Sequence, residues 1–374
     1  MSLVSRILDN LEERRQRVLS GGINCIPLPF PSFRRDFPGV EQGKFYLMSG
    51  SSKGGKSQLT NFLFLYTPIL YAYRHPEKIR IQIFYYALEE AIEKVTLRFI
   101  SYLLYTMSKI RISPLDLQSI NNDKIVDERI LKTLHTMEYQ SILRFFEDHV
   151  HFMSARNPTG YWKDLNGYAE EAGTIHKKTV IVENKKTGVR QEKEAFDYYE
   201  PKDKNEYVIS IWDHAGLTAI ESNSNLKTQT LKGAIDKLTE YHMIVRNRYN
   251  YTPVMVVQQN SETISLDAFK SNKIRPTLNG IADSKDPGKA CSMMLGITNP
   301  FSFEIPTYFG YDITKLRGYA RFLEVVLSRE GESNGMIGLY FDGATNFFAP
   351  LPSANNALEL QRVYDLIARN SGSN

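Results

Sequence analysis

The 374-residue sequence holds only two cysteines, Cys25 and Cys291. They are too few and too far apart for a disulfide framework or a cysteine zinc site, which suits a reducing cytoplasm. Histidine is scarce as well: of seven, only His149 and His151 lie close together, in a strand-like segment where they read as structural or surface residues rather than metal ligands. No apolar run reaches membrane-spanning length, and Met1 to Arg6 lacks the pattern of a secretory signal. Nor does charge of one sign dominate. Lys and Arg total 46 against 42 Asp and Glu, so the net charge is +4, and any nucleic-acid surface must come from local clustering. What is present is the balance of an ordinary globular chain, 42% hydrophobic and 24% charged, long enough for one large domain or two modest ones.

One stretch organises the rest. Lys44 to Met48 is apolar and aromatic and runs into Gly50-Ser51-Ser52-Lys53-Gly54-Gly55-Lys56-Ser57; helical spacing of Leu59, Phe62, Leu63, Leu65 and Tyr66 follows. Strand, glycine-rich loop and helix in that order are the context of a P-loop. The glycines let successive N–H groups cradle phosphate oxygens, Lys56 reaches the outer phosphates, and the Ser57 hydroxyl ligates Mg2+. The pattern predicts binding of a nucleoside triphosphate.

Around it the chain reads in order. Residues 1–22 form an amphipathic helix, with Leu3, Val4, Ile7, Leu8 and Leu11 on one face, that either folds back on its own domain or docks on a neighbouring subunit. A proline-rich lead-in opens the main domain, residues 23–351. Ile79 to Ala87 is a buried strand ending in Leu88-Glu89-Glu90, expected beside the P-loop strand. Acidic residues at such a strand end sit where open parallel sheets bind ligands, so Glu89 is read as the base that polarises water, with a negatively charged helix start as the bland alternative. In residues 104–148, Leu131, Leu134, Met137, Ile142, Leu143 and Phe146 are expected core. Residues 177–206 read as a charged β-hairpin insertion with a lysine-rich tip, either solvated or contacting nucleic acid or a partner.

Tyr207 to Asp213 is a third parallel strand whose Asp213 would hold Mg2+. His214 follows it, which disfavours machines that place their catalytic glutamate there. The strand Pro253 to Gln259 ends in an amide that senses a γ-phosphate or simply caps the strand. Residues 261–289 are polar and cationic, with Lys270, Lys273, Arg275, Lys285 and Lys289, as suits contact with a nucleic-acid backbone. A buried strand, Cys291 to Ile297, and an antiparallel meander over 322–348 close the domain, and residues 352–374 form a tail with one short helix.

With these residues in place the chain resembles the motor domain of DnaB-type replicative DNA helicases, RecA-like P-loop ATPases, and most of all a phage-encoded member. The resemblance covers about Ile7 to Leu351 apart from the insertion. It rests on Ile23 to Gly43 as the entry to the P-loop, Phe84 to Glu90 with Arg98 as the second motif, Asp213, and Pro253 to Gln259. Arg275-Pro276 through Asp283-Ser284 resembles the loop that grips single-stranded DNA. Ala282 stands where that family has arginine, so Lys285 and Lys289 would substitute. The resemblance implies an α/β fold with a mostly parallel central sheet and antiparallel strands at the C-terminal edge. It implies Mg2+ and ATP at the interfaces of a homohexameric ring, with Glu89 as base, Gln259 as sensor and Arg329 as an arginine finger reaching the neighbour. The residue 1–22 helix would be a linker latching adjacent subunits. It implies a replicative helicase in the host cytoplasm, off the membrane, with single-stranded DNA and a primase or helicase loader as partners. A RecA-like recombinase or mediator, and a regulatory P-loop ATPase without unwinding, share the same ATP-site chemistry.

Overall fold

Tyr46–Gly50 is buried along its whole length, and its alternating side chains set the layers of the molecule. Tyr46 and Met48 enter one apolar core, while Leu47 and the preceding Phe45 enter the other. The computed structural model describes residues 3–121, 123–183, 190–221, 230–260, 274–331 and 335–372. Its strands, in chain order, are β1 (Cys25–Pro27), β2 (Gly39–Glu41), β3 (Tyr46–Gly50), β4 (Arg80–Ala87), β5 (Val150–Phe152), β6 (Gly173–Glu183), β7 (Arg190–Pro201) and β8 (Glu206–Asp213). There follow β9 (Thr252–Gln258), β10 (Met293–Thr298), β11 (Thr307–Tyr308), β12 (Tyr311–Asp312), β13 (Ala320–Ser328), β14 (Met336–Asp342) and β15 (Phe347–Pro350).

Nine of these make one sheet in the order β15-β14-β13-β10-β3-β9-β8-β4-β5. The pairs from β10 to β5 are parallel, and those from β10 out to β15 are antiparallel. The fold is therefore α/β with a large, mostly parallel central sheet and an antiparallel C-terminal edge. Parallel strands covered on both faces read as near-continuous apolar runs, as β8 and β9 do here.

One face is covered by the helical stretch Lys56–Arg74, which widens into a π-turn at Phe62–Tyr66, and by helices Ile92–Ser108 and Met137–His149. Helices Pro158–Ala172 and Leu231–Tyr249 cover the other. A third apolar cluster joins Tyr308, Phe322, Leu360 and Ile367 beneath the C-terminal helix Ala357–Gly372.

Three expectations change. The strand carrying Glu89 at its end is not beside β3: β9 and β8 lie between β3 and β4. In the 104–148 region Ile142 and Phe146 are core, but Met137 is 88% exposed because it starts its helix on the solvent side, and Leu131 is also exposed. The charged hairpin is the ribbon β6–β7, which begins at Gly173 and ends at Pro201; its expected lysine-rich tip lies outside the described residues. Helix Leu3–Leu19 touches its own domain through polar groups. Asn24 Nδ2 donates to Arg14 O (3.0 Å), and ion pairs join Arg14 to Glu41 and Glu13 to Lys204. Val4, Ile7, Leu8 and Leu11 are exposed, with no cover among the described residues.

Phe62 stacks on Phe30 (5.7 Å between centroids) and meets Tyr102 edge-on (5.8 Å), locking the π-turn into the core. Phe62→Ala should lower unfolding free energy by about 3–5 kcal/mol, the range for emptying a buried aromatic site, as read by urea denaturation.

Candidate active site

The loop Gly50–Ser57 leaves β3 at its carboxyl end and returns as a helix at Lys56. Gly55 precedes that helix with φ +97°, a left-handed conformation that costs glycine nothing. Gly54 N–H donates to Ser51 O (3.1 Å), and the Lys56 ammonium folds back to donate to the same carbonyl (2.9 Å). Burial lowers the Lys56 pKa, opposed by the charges of Glu89 and Asp213. The Ser51 hydroxyl is buried without a hydrogen-bond partner among the described residues. A glycine-rich turn that opens a helix under a desolvated ammonium has the chemistry of an anion cradle, because the first N–H groups of a helix lack intrahelical acceptors.

Ser57 Oγ donates to Asp213 Oδ1 at 3.0 Å, tying the loop's helix to the carboxyl end of β8. The second carboxylate oxygen accepts from Tyr85 OH (3.2 Å), and that hydroxyl is also 2.9 Å from Asn61 Oδ1. Asp213 is buried, and burial pushes its carboxyl up to about 6; the Ser57 hydrogen bond pulls the other way, Glu89 raises it, and Tyr85 lowers it. Register places Ala87 opposite Asp213, so Glu89 emerges next to His214. Their side chains are 3.8 Å apart, Nε2 to Oε2. Gly216 N–H donates to His214 Nδ1 (3.1 Å), which puts the ring proton on Nε2, facing Glu89. Burial depresses the His214 pKa, with Glu89 opposing, so the ring is neutral. Glu90 turns away into a bidentate pair with Arg98.

Gln259 sits where β9 meets the loop's own strand. Its backbone N–H donates to Gly50 O (2.9 Å), and its amide Nε2 donates to Ser49 Oγ (2.7 Å) and Thr277 O (2.9 Å). Thr277 N–H returns a bond to Oε1 (3.1 Å). One amide therefore joins the glycine-rich loop's strand to the segment 274–284.

The structure gathers Lys56, Ser57, Asp213, Glu89 and Gln259 along the carboxyl edge of the parallel strands. Three of the expected nucleic-acid cations have partners within the chain. Arg275 is ion-paired with buried Glu324 on β13 (Nε to Oε2, 2.6 Å), and Lys289 pairs with Asp286 (2.9 Å). Lys285 donates to Asn279 O, and Lys273 lies outside the described residues. Arg329 stands just past β13, beside the amino ends of β10 and β3 and so at the sheet edge opposite the loop. Its guanidinium donates to Cys291 O (2.7 Å) and Lys289 O. It can reach a glycine-rich loop only on another chain. Sequence reasoning missed Tyr85, Asn61 and the His214–Glu89 pairing. Tyr85 was detectable as an inward polar residue in an apolar strand, whereas the histidine pairing depends on register.

No protein-family model matches the sequence, and no curated relative does. Among solved structures the chain is similar to one titled as a DnaB-like replicative helicase and its interactions with primase, with a TM-score of 0.59 and 10% identity over 93% of this chain and 67% of that one. The chain thus has the fold of a DnaB-like replicative helicase. No described helix is long and apolar enough to cross a membrane.

Two tests separate structural from functional charge. Arg275→Ala leaves Glu324 buried and unpaired and should cost roughly 1–3 kcal/mol, discounted because Arg275 is partly exposed. Adding Glu324→Gln should recover most of that in a double-mutant cycle of unfolding free energies. Asp213 has a folded pKa above its unfolded one, so its penalty is absent below about pH 4 and complete above about pH 6. Asp213→Asn should therefore stabilise the nucleotide-free protein at pH 7.5 by up to about 3 kcal/mol, a gain that vanishes by pH 4 in urea unfolding.

Proposed function

We propose that this chain is the motor of an ATP-driven replicative DNA helicase that moves along single-stranded DNA as a homohexameric ring. The observation that carries the reading is the set Lys56, Ser57, Asp213 and Glu89 held at one edge of a sheet with the DnaB-like fold. The N–H groups from Gly50 to Ser57 and the Lys56 ammonium would bind the phosphates of ATP, with Ser51, Ser52, Lys53, Gly54 and Gly55 shaping the turn. The donor set suits Mg2+: a hydroxyl and a carboxylate already in contact, the carboxylate desolvated. Among the described residues no three His, Cys, Asp or Glu side chains converge on a metal, so Ser57 and Asp213 would hold the ion together with nucleotide oxygens. When bound, Mg2+ neutralises developing charge on the phosphates. Glu89 would take the proton of the attacking water, with the His214 ring beside it at 3.8 Å.

Gln259 would couple the nucleotide state to the segment 274–284 through its paired bonds to Ser49 and Thr277. Arg329, facing away from its own loop, would serve a neighbouring subunit, and the uncovered stripe of helix Leu3–Leu19 would latch that neighbour. The motor domain would span residues 23–351, with Lys285 and Lys289 meeting the DNA backbone. A primase or helicase loader would be the partner, and the host cytoplasm of a phage infection its setting. The intramolecular commitments of Arg275 and Arg329 favour one alternative, a nucleotide-sensing ATPase without unwinding.

The test is strand displacement on a forked substrate with Mg-ATP, alongside the assembly's mass and ATP turnover. Unwinding by a hexamer with turnover stimulated by single-stranded DNA is expected. Glu89→Gln should cut kcat by about 100-fold or more while nucleotide affinity holds. Turnover indifferent to DNA would remove the helicase reading.

A further inference from the structure

Arg321 on β13 is the least explained charge in the molecule. It is 7% exposed, so its guanidinium is almost wholly withdrawn from water. Among the described residues it has no carboxylate partner. Asp342, beside Phe341 on the adjoining strand, is already held by Arg111 through two hydrogen bonds of 2.7 and 3.0 Å. The Arg321 group lies over the Phe341 ring at 4.9 Å, and Nη1 donates to the carbonyls of Gly318 (2.8 Å) and Ala320 (2.7 Å). Its Nε–H is buried with no acceptor among the described residues. An isolated buried cation is costly and persists where an anion completes it. The position supplies that anion's address: a Cβ built on Gly55 would stand 3.2 Å from Arg321 Nε. The unpartnered donor is therefore packed against the residue at which the glycine-rich loop becomes a helix.

We propose that Arg321 is a ligand of the nucleotide phosphates at the Gly50–Ser57 loop, a second cation supplied by the same chain. This rests on the reading of that loop as a nucleotide site. Glycine at position 55 then serves two ends, its left-handed turn and the bare surface that lets a guanidinium close on the loop. The contact is made within one subunit, so it serves the diphosphate as well as the triphosphate and does not wait for assembly. It is distinct in kind from Arg329, which faces the opposite edge of the sheet.

The test is equilibrium binding of MgADP and MgATP to the full chain and to Arg321→Met, which keeps an unbranched chain over Phe341 but removes the charge. Both affinities should fall about 10- to 100-fold, the effect of one charge-assisted phosphate contact. The nucleotide-free unfolding midpoint reports the separate cost of freeing the Gly318 and Ala320 carbonyls, and affinities are compared where both proteins are fully folded. Binding within twofold of wild type by the folded variant overturns the proposal and leaves the nucleotide site intact. Failure of the wild-type chain to bind MgADP overturns both. If Arg321→Met does not fold, Arg321→Lys decides: weaker binding at an unchanged midpoint supports the proposal, and wild-type affinity refutes it.

Discussion

The hydrogen bond from Ser57 to Asp213 is the contact on which the site depends. It joins the first turn of the helix after the glycine-rich loop to the end of a strand that is not the loop's neighbour, since β9 lies between. The helix reaches that point because Leu59, Phe62 and Leu63 bury its inner face against the sheet. Asp213 is held there by burial and by Tyr85, which is itself anchored on Asn61 of the same helix. Two apolar surfaces thus fix the geometry of one polar contact.

The charges divide into two kinds by the same physics. Arg98 with Glu90, Arg111 with Asp342 and Arg275 with Glu324 are matched pairs whose ions satisfy one another. Asp213, Lys56 and Arg321 are desolvated without an ion pair among the described residues, and each stands at the glycine-rich loop. Unmatched buried charge works against stability, so its concentration at one place marks where a ligand of complementary charge belongs.

Gln259 ties that site to a second segment of the chain. The bonds that hold Gln259 to Ser49 and Gly50 on one side and to Thr277 on the other make the loop's strand and the 274–284 segment a single hydrogen-bonded unit. Ala282 N–H, bonded to Gln258 O at 2.8 Å, extends it.

Much of this was legible in the residue order. The glycine-rich loop, the acidic end of β4, Asp213 and the terminal amide of β9 are local patterns, written by period-two burial and by the special backbone freedom of glycine. The antiparallel edge followed from the alternation in residues 322–348. Which strands are neighbours was not local, because parallel pairing is set by crossovers that bring distant segments together. Only the tertiary structure therefore put two strands between β4 and the loop's strand and matched Ala87 to Asp213 so that His214 faces Glu89. It likewise spent Arg275 on Glu324 and laid Arg321, an unremarked residue of a buried strand, against Gly55. Residue type announces what a side chain can do; only packing decides what it meets.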